Sequence, residues 1–217
     1  MPSLHELLLT PRCFGCRNQG SALCTRCFEQ LEARLRPVER VGLVGWAGFD
    51  YAGPMRELMY SFKTVGNARL AAALAAPLAP ALVHLACTSA GAPLLVPVPS
   101  RPSAFGKRGF MPARLISNAL LSYSPGARVS ELLWYSRGTS RQAALGRSDR
   151  AANLHLAMRA RASNLAPPKL SPLNPNPRPL ILIDDIVTTG ATIREATRAL
   201  TEAGWEVAGF IAVAETR

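Results

Sequence analysis

Two adjacent acids followed by a run of small hydroxyl residues carry the most telling chemistry in this chain. Leu180, Ile181, Leu182 and Ile183 form a continuous apolar run, as expected of a central parallel strand covered on both faces. Asp184 and Asp185 follow at once, at the carboxyl end of that strand, where ligands of open α/β sheets gather. Thr188, Thr189, Gly190, Ala191 and Thr192 then supply hydroxyls, a flexible glycine and closely spaced backbone amides. Such a loop feeding a helix N-terminus is an anion site, because free N–H groups and the helix dipole both favour phosphate. Two carboxylates would repel a bare phosphate. A ribose phosphate could instead set its hydroxyls, or a bound Mg2+, against them. The alternative is an ordinary α/β turn whose acids cap a strand, and the full combination of strand, paired acids and Thr-Thr-Gly-Ala-Thr argues against it.

A second constellation lies near the start. Cys13 and Cys16, then Cys24 and Cys27, form two C-x2-C knuckles with seven residues between them. Each knuckle can grip a metal ion in a tight turn, and four thiolates close a tetrahedral zinc site. Gly15 suits the first turn. Disulfides are disfavoured in a reducing compartment, and a redox dithiol would not need a second copy. An iron–sulfur cluster is the remaining alternative. Cys87 stands outside the group and is expected to be a buried apolar residue.

The elements that must position these groups can be read from periodicity and punctuation. Residues 41–51 read as one or two short strands, 54–62 and 67–85 as helices, and 94–98 as a buried strand. Residues 101–110 read as a basic loop leading into a helix over 113–121, and 128–135 as another strand. After residue 192 a helix is expected, with Thr192 and Glu195 at capping-box spacing. Ile193, Ala196, Thr197 and Leu200 share its face, and Gly204 ends it. Residues 163–179 hold six prolines and read as an extended loop. Strands alternating with helices predict a parallel α/β sheet flanked by helices. Residues 1–40 are expected to form the four-cysteine module and 41–217 the α/β domain.

Composition sets the remaining bounds. The chain has 217 residues, 48% of them hydrophobic, which is ample for a packed core. Its net charge is +11, and 22 of the 25 basic residues are arginines, the exceptions being Lys63, Lys107 and Lys169. Residues 101–161 contain eleven Lys and Arg against Glu131 and Asp149, a net of +9. Arginine's planar fork matches phosphate oxygens, so anionic partners are favoured; the alternative is a solvated surface that serves solubility. No secretory signal is visible, and the apolar run 70–86 is interrupted by Pro77, Pro80 and His84. At 17 residues it is marginal for a bilayer core of about 30 Å and reads as a buried helix. The expectation is a cytoplasmic protein with no membrane insertion.

Residues 181–192, Ile-Leu-Ile-Asp-Asp-Ile-Val-Thr-Thr-Gly-Ala-Thr, resemble the PRPP-binding motif of type I phosphoribosyltransferases. The resemblance implies that Asp184 and Asp185 hold the ribose hydroxyls and that Thr188, Thr189, Gly190, Ala191 and Thr192 wrap the 5′-phosphate. With the four-cysteine module ahead of it, the chain resembles the ComF family of competence-associated proteins along most of its length. Tyr51-Ala52-Gly53-Pro54-Met55-Arg56-Glu57-Leu58, Phe62-Lys63, Pro97-Val98-Pro99 and Lys107-Arg108-Gly109-Phe110 match family segments. Arg137, Gln142, Arg150 and Asn153 match its R…Q…R-x-x-N region. Met111-Pro112 stand where the family carries Asn-Gln, and the Pro/Asn-rich stretch before Leu180 is longer than usual.

The resemblance implies a phosphoribosyltransferase-like fold with a hood, and binding of PRPP with Mg2+. Pyrophosphate leaves with high negative charge, so cations beside it stabilise the transition state most. Lys107 and Arg108, placed like the pyrophosphate loop, are the candidates, with Asp184, Asp185 and Arg108 as the catalytic set. Lys63 is placed on the hood over the site. Arg101 is possible beside Lys107 and Arg108, but Arg101, Arg114 and Arg128 are preferred as solvated charges, and His5, His84 and His155 read as structural. The rival function is a non-enzymatic module that binds single-stranded DNA during uptake, alongside other competence proteins. Arg137, Arg141 and Arg150 are its candidate contacts, and Phe105, Phe110, Tyr123, Trp134 and Tyr135 its stacking or core aromatics.

Overall fold

The computed structural model describes residues 11–87, 92–136, 156–161 and 179–216. Its centre is a six-stranded sheet in the order β1-β2-β8-β7-β3-β4: β1 Arg36–Arg40, β2 Leu43–Asp50, β3 Leu94–Pro97, β4 Arg128–Val129, β7 Leu180–Val187 and β8 Val207–Glu215. The β1–β2 pair is antiparallel, turning at Val41 and Gly42, and every other pairing is parallel. A separate antiparallel ribbon joins β5 (Leu133–Tyr135) to β6 (Met158–Ala160). This is the α/β architecture expected from the alternation of strands and helices, with a four-cysteine cluster near its start.

Each strand alternates its side chains between two cores. The first helix, α1 (Thr25–Glu29), carries Cys27. Ile181, Ile183, Phe49, Ile211 and Val213 face α2 (Gly53–Val65), α3 (Ala68–Ala75), α4 (Ala79–Cys87) and α6 (Pro112–Leu120). Leu180, Leu182, Ala47, Phe210 and Ala212 face α7 (Ala191–Glu202) and the β5–β6 ribbon. Gly45 is required here, because a Cβ would overlap the Phe210 ring.

The span Ala68–Cys87 is long and apolar enough to cross a membrane by length and composition. Pro77 and Pro80 break it into α3, a 3-10 turn over Ala76–Leu78 and α4. Leu70, Leu74, Leu78 and Leu82 are fully buried in the core, which is the buried helical segment expected there.

Four local expectations are corrected. Residues 102–108 form a helix, α5 (Pro102–Arg108), in place of a basic loop; Pro102 sits in its first turn and Gly109, at φ +73°, ends it. The single strand expected over 128–135 is divided between β4 in the main sheet and β5 in the ribbon. Cys87 is exposed at the end of α4. Thr192 does not cap α7. That helix starts from Gly190, and Glu195 is only 3% exposed and turned toward the ribbon. Most of the proline-rich stretch 163–179 lies outside the described residues.

Candidate functional site

Strand alternation decides what the two acids meet. Continuing the pattern of Ile181 and Ile183, Asp185 faces α2, where Lys63 Nζ lies 3.2 Å from its Oδ2. Asp184 follows Leu180 and Leu182 toward the ribbon, where its charge reaches Tyr135. Between the two, the Asp185 backbone N–H donates to Asp184 Oδ1 at 2.8 Å. Asp184 is 8% exposed. Burial, and then the neighbouring charge of Asp185, pushes its carboxyl up to about 7, with Lys63 opposing. Asp184 therefore keeps its proton up to near neutrality.

The loop after β7 has the features an anion needs. Thr188 and Thr189 are exposed, and Gly190 takes the left-handed conformation at φ +78°. No side chain caps α7 across that turn, which leaves its first amides for another acceptor. Thr189 Oγ1 accepts only a long contact, 3.4 Å, from the Ala191 N–H. The loop is braced from β1: Arg40 Nε donates to the Thr188 carbonyl at 2.9 Å, and its Nη2 pairs with Glu215 at 2.6 Å. Arg36 Nη2 reaches the other oxygen of Glu215 at 3.0 Å. A Cβ on residue 190 would sit 2.7 Å from Arg40 Cβ, so glycine is needed there for space as well as for its dihedral.

The other basic residues divide between paired and exposed positions. Arg108 folds back, donating through Nε to the Ala104 carbonyl of its own helix, and Lys107 is exposed. Arg101, read as a solvated charge, is exposed immediately before α5. Arg114 pairs with Glu131 at 2.8 Å, the surface role expected of it. The Phe110 ring lies against Gly66, 2.7 Å from where a Cβ would stand, and so docks the Arg-Gly-Phe segment onto the end of α2. Arg137, Arg141, Arg150, Gln142, Asn153, His5 and His155 lie outside the described residues. Arg40, which braces the threonine loop from β1, carried no signal in the sequence.

The four cysteines converge. All four Sγ atoms lie within 4.8 Å of one another, and Cys16 and Cys24 are 3.6 Å apart. Sulfurs around a tetrahedral zinc at about 2.3 Å stand roughly 3.8 Å apart, so the spacing fits, whereas a disulfide needs about 2.05 Å. The Cys24 N–H donates to Cys13 Sγ at 3.4 Å, the support a metal thiolate requires. Burial alone would raise Cys13, but the backbone donors of Cys24, Cys16 and Gly15 outweigh it and bring it down to about 6. A Cβ on Gly15 would meet Cys27 Sγ at 2.8 Å, which accounts for the glycine in the first knuckle.

With both constellations placed, similarity to known proteins can be weighed. The chain is 28% identical over 203 residues to the DNA utilization protein YhgH of Salmonella typhi, spanning 92% of this chain and 81% of that protein. The chain is similar to DNA utilization protein YhgH. The protein of that name in Escherichia coli (strain K12) is 27% identical over 199 residues, covering 90% of this chain and 79% of its own length. No family model matches. Matches of that extent take in the acid–threonine loop and reach into the cysteine cluster.

Proposed function

We propose that this protein is a ComF-type, phosphoribosyltransferase-like protein of the cytoplasm that binds PRPP or a related ribose phosphate with Mg2+. The observation that carries this reading is the divided environment of the two acids. A buried carboxyl and a lysine-paired one stand toward the carboxyl end of a central parallel strand, shortly before a helix start with no side-chain cap. In this reading Asp184 and Asp185 take the ribose hydroxyls or the cation. Thr188, Thr189, Gly190, Ala191 and Thr192 take the 5′-phosphate through hydroxyls and amides. Bound Mg2+ would offset charge on the diphosphate. Lys63 is the cation that reaches the acids, Lys107 and Arg108 remain the candidates for the pyrophosphate, and Cys13, Cys16, Cys24 and Cys27 hold a structural zinc.

Calorimetric titration of the zinc-loaded protein with PRPP and Mg2+ tests this. Binding should be seen for wild type and lost on replacing both acids by asparagine. Absence of heat with wild type would remove the proposal.

A second reading is a single-stranded DNA-binding accessory protein, favoured by the naming of the relatives for DNA utilization and by the arginine-rich charge. Titrating single-stranded DNA at two salt concentrations separates the two. Steep salt dependence that survives replacement of both acids would place the strand on another surface.

A further inference from the structure

Three acceptors from three parts of the chain hold the side chain of Arg40, the last residue of β1. Its Nη1 donates to the Glu39 carbonyl at 2.9 Å, its Nη2 to Glu215 Oε1 at 2.6 Å, and its Nε to the Thr188 carbonyl at 2.9 Å. Glu215 is only 8% exposed, and Arg36 Nε donates to its other oxygen at 3.0 Å, so the carboxylate that anchors Arg40 is itself anchored. The stem of Arg40 packs on the far end of the same loop. A Cβ on residue 190 would stand 2.7, 3.1 and 3.2 Å from Arg40 Cβ, Cγ and Cδ. Head and stem together therefore span the loop from Thr188 to Gly190.

The hydrogen bond to Thr188 fixes more than a carbonyl. A trans peptide is planar, so its C=O and the N–H of the next residue point in opposite directions. Drawing the Thr188 carbonyl onto Arg40 turns the Thr189 N–H away from Arg40. Among the described residues no backbone acceptor takes the N–H of Thr189 or Gly190. Without the latch this exposed peptide is free to turn over and present carbonyl lone pairs where an anion needs a donor. A donor fixed in advance costs no reorganisation when the anion arrives.

We propose that Arg40 is a positioning residue that latches the Thr188–Thr189 peptide, so that its N–H, and not its carbonyl, faces the phosphomonoester of a bound ribose phosphate. The proposal rests on the ribose-phosphate reading above. Arg40 acts through its hydrogen bond to Thr188 and not through its charge, which Glu215 already engages. Two substitutions separate these causes. In glutamine, Nε2 occupies the place of arginine Nε along the side chain and can donate to the same carbonyl; in methionine, a methyl group stands there with no proton to give. Both remove the guanidinium and its pairing with Glu215, which keeps Arg36 in either case.

The test measures Mg2+-dependent binding of PRPP and ribose 5-phosphate to the full zinc-loaded chain, to R40M and to R40Q. The Thr189 amide is followed by heteronuclear NMR as ribose 5-phosphate is added. Loss of one hydrogen bond to a charged group predicts that R40M weakens both ligands about tenfold, since both carry the 5′-phosphate. R40Q, the conservative variant, should weaken them by less than about threefold. The Thr189 N–H resonance should move downfield with ribose 5-phosphate in wild type and in R40Q, and stay in place in R40M. Equal losses in R40M and R40Q would assign Arg40 to charge or packing and overturn the latch. If R40M does not fold, the wild-type amide decides: ribose 5-phosphate that binds and leaves Thr189 unmoved overturns the proposal. If wild type binds neither ligand, the ribose-phosphate reading itself fails and this proposal with it. If wild type binds both and R40M matches it, only the latch fails.

Discussion

Replacing Asp184 by asparagine should make the protein more stable while removing its ligand binding. The carboxyl is 8% exposed, and its proton is held up to about 7 by burial and by Asp185, against an ordinary value of 3.8. Below about pH 4 the folded and unfolded chains both carry the proton, and no cost is felt. As pH rises toward 7 the unfolded chain ionises while the folded one does not, and stability falls; above 7 the full cost is present. A shift from 3.8 to about 7, at about 1.36 kcal/mol per unit, amounts to on the order of 4 kcal/mol, an appreciable part of a typical domain's stability. The asparagine amide would keep an oxygen to accept the Asp185 N–H, so the local geometry survives. Urea denaturation without Mg2+ at pH 8 should therefore show D184N more stable than wild type by up to about 4 kcal/mol, at unchanged m-value. The gap should close as pH falls toward 4. Equal stability at pH 8, or a wild type that gains stability between pH 5 and 8 relative to D184N, would refute the buried-acid account.

Gly190→Ala should cost roughly 1–3 kcal/mol in the same assay and weaken phosphate binding, because it forces a left-handed φ and collides with Arg40. Gly190→Asn, which tolerates that dihedral but meets the same obstruction, separates the two causes. Lys63→Met should lower affinity for PRPP and Mg2+ by about tenfold or more, since it strands Asp185 without its cation; unchanged affinity would remove Lys63 from the site. Metal analysis should find about one zinc per chain, and chelation or Cys16→Ser should lower the melting temperature by several degrees. A metal-free protein of equal stability would refute the zinc assignment.

Two parts of this protein could be read from local chemistry alone. The apolar run before Asp184 and Asp185, short and rich in isoleucine, fits a central strand covered on both faces. The threonine–glycine turn and the periodic apolar residues after it fit a helix start. The paired C-x2-C spacing likewise closes its own site, since each knuckle needs only its own turn and a shared ion. What the sequence could not decide is which side chains face these groups across space. Local pattern pointed to Lys107 and Arg108 as the site's cations. Pro102 and Gly109 define a short helix that turns Arg108 back onto its own backbone, and Lys63 is the residue that meets Asp185. The S/T-x-x-E spacing at Thr192 and Glu195 suggested a capping box, but Glu195 is drawn instead to Met158, 37 positions earlier. In each case the deciding contact joins residues far apart in the chain, and its energy depends on how helices and ribbon pack against the sheet. Composition and spacing carry no record of that packing.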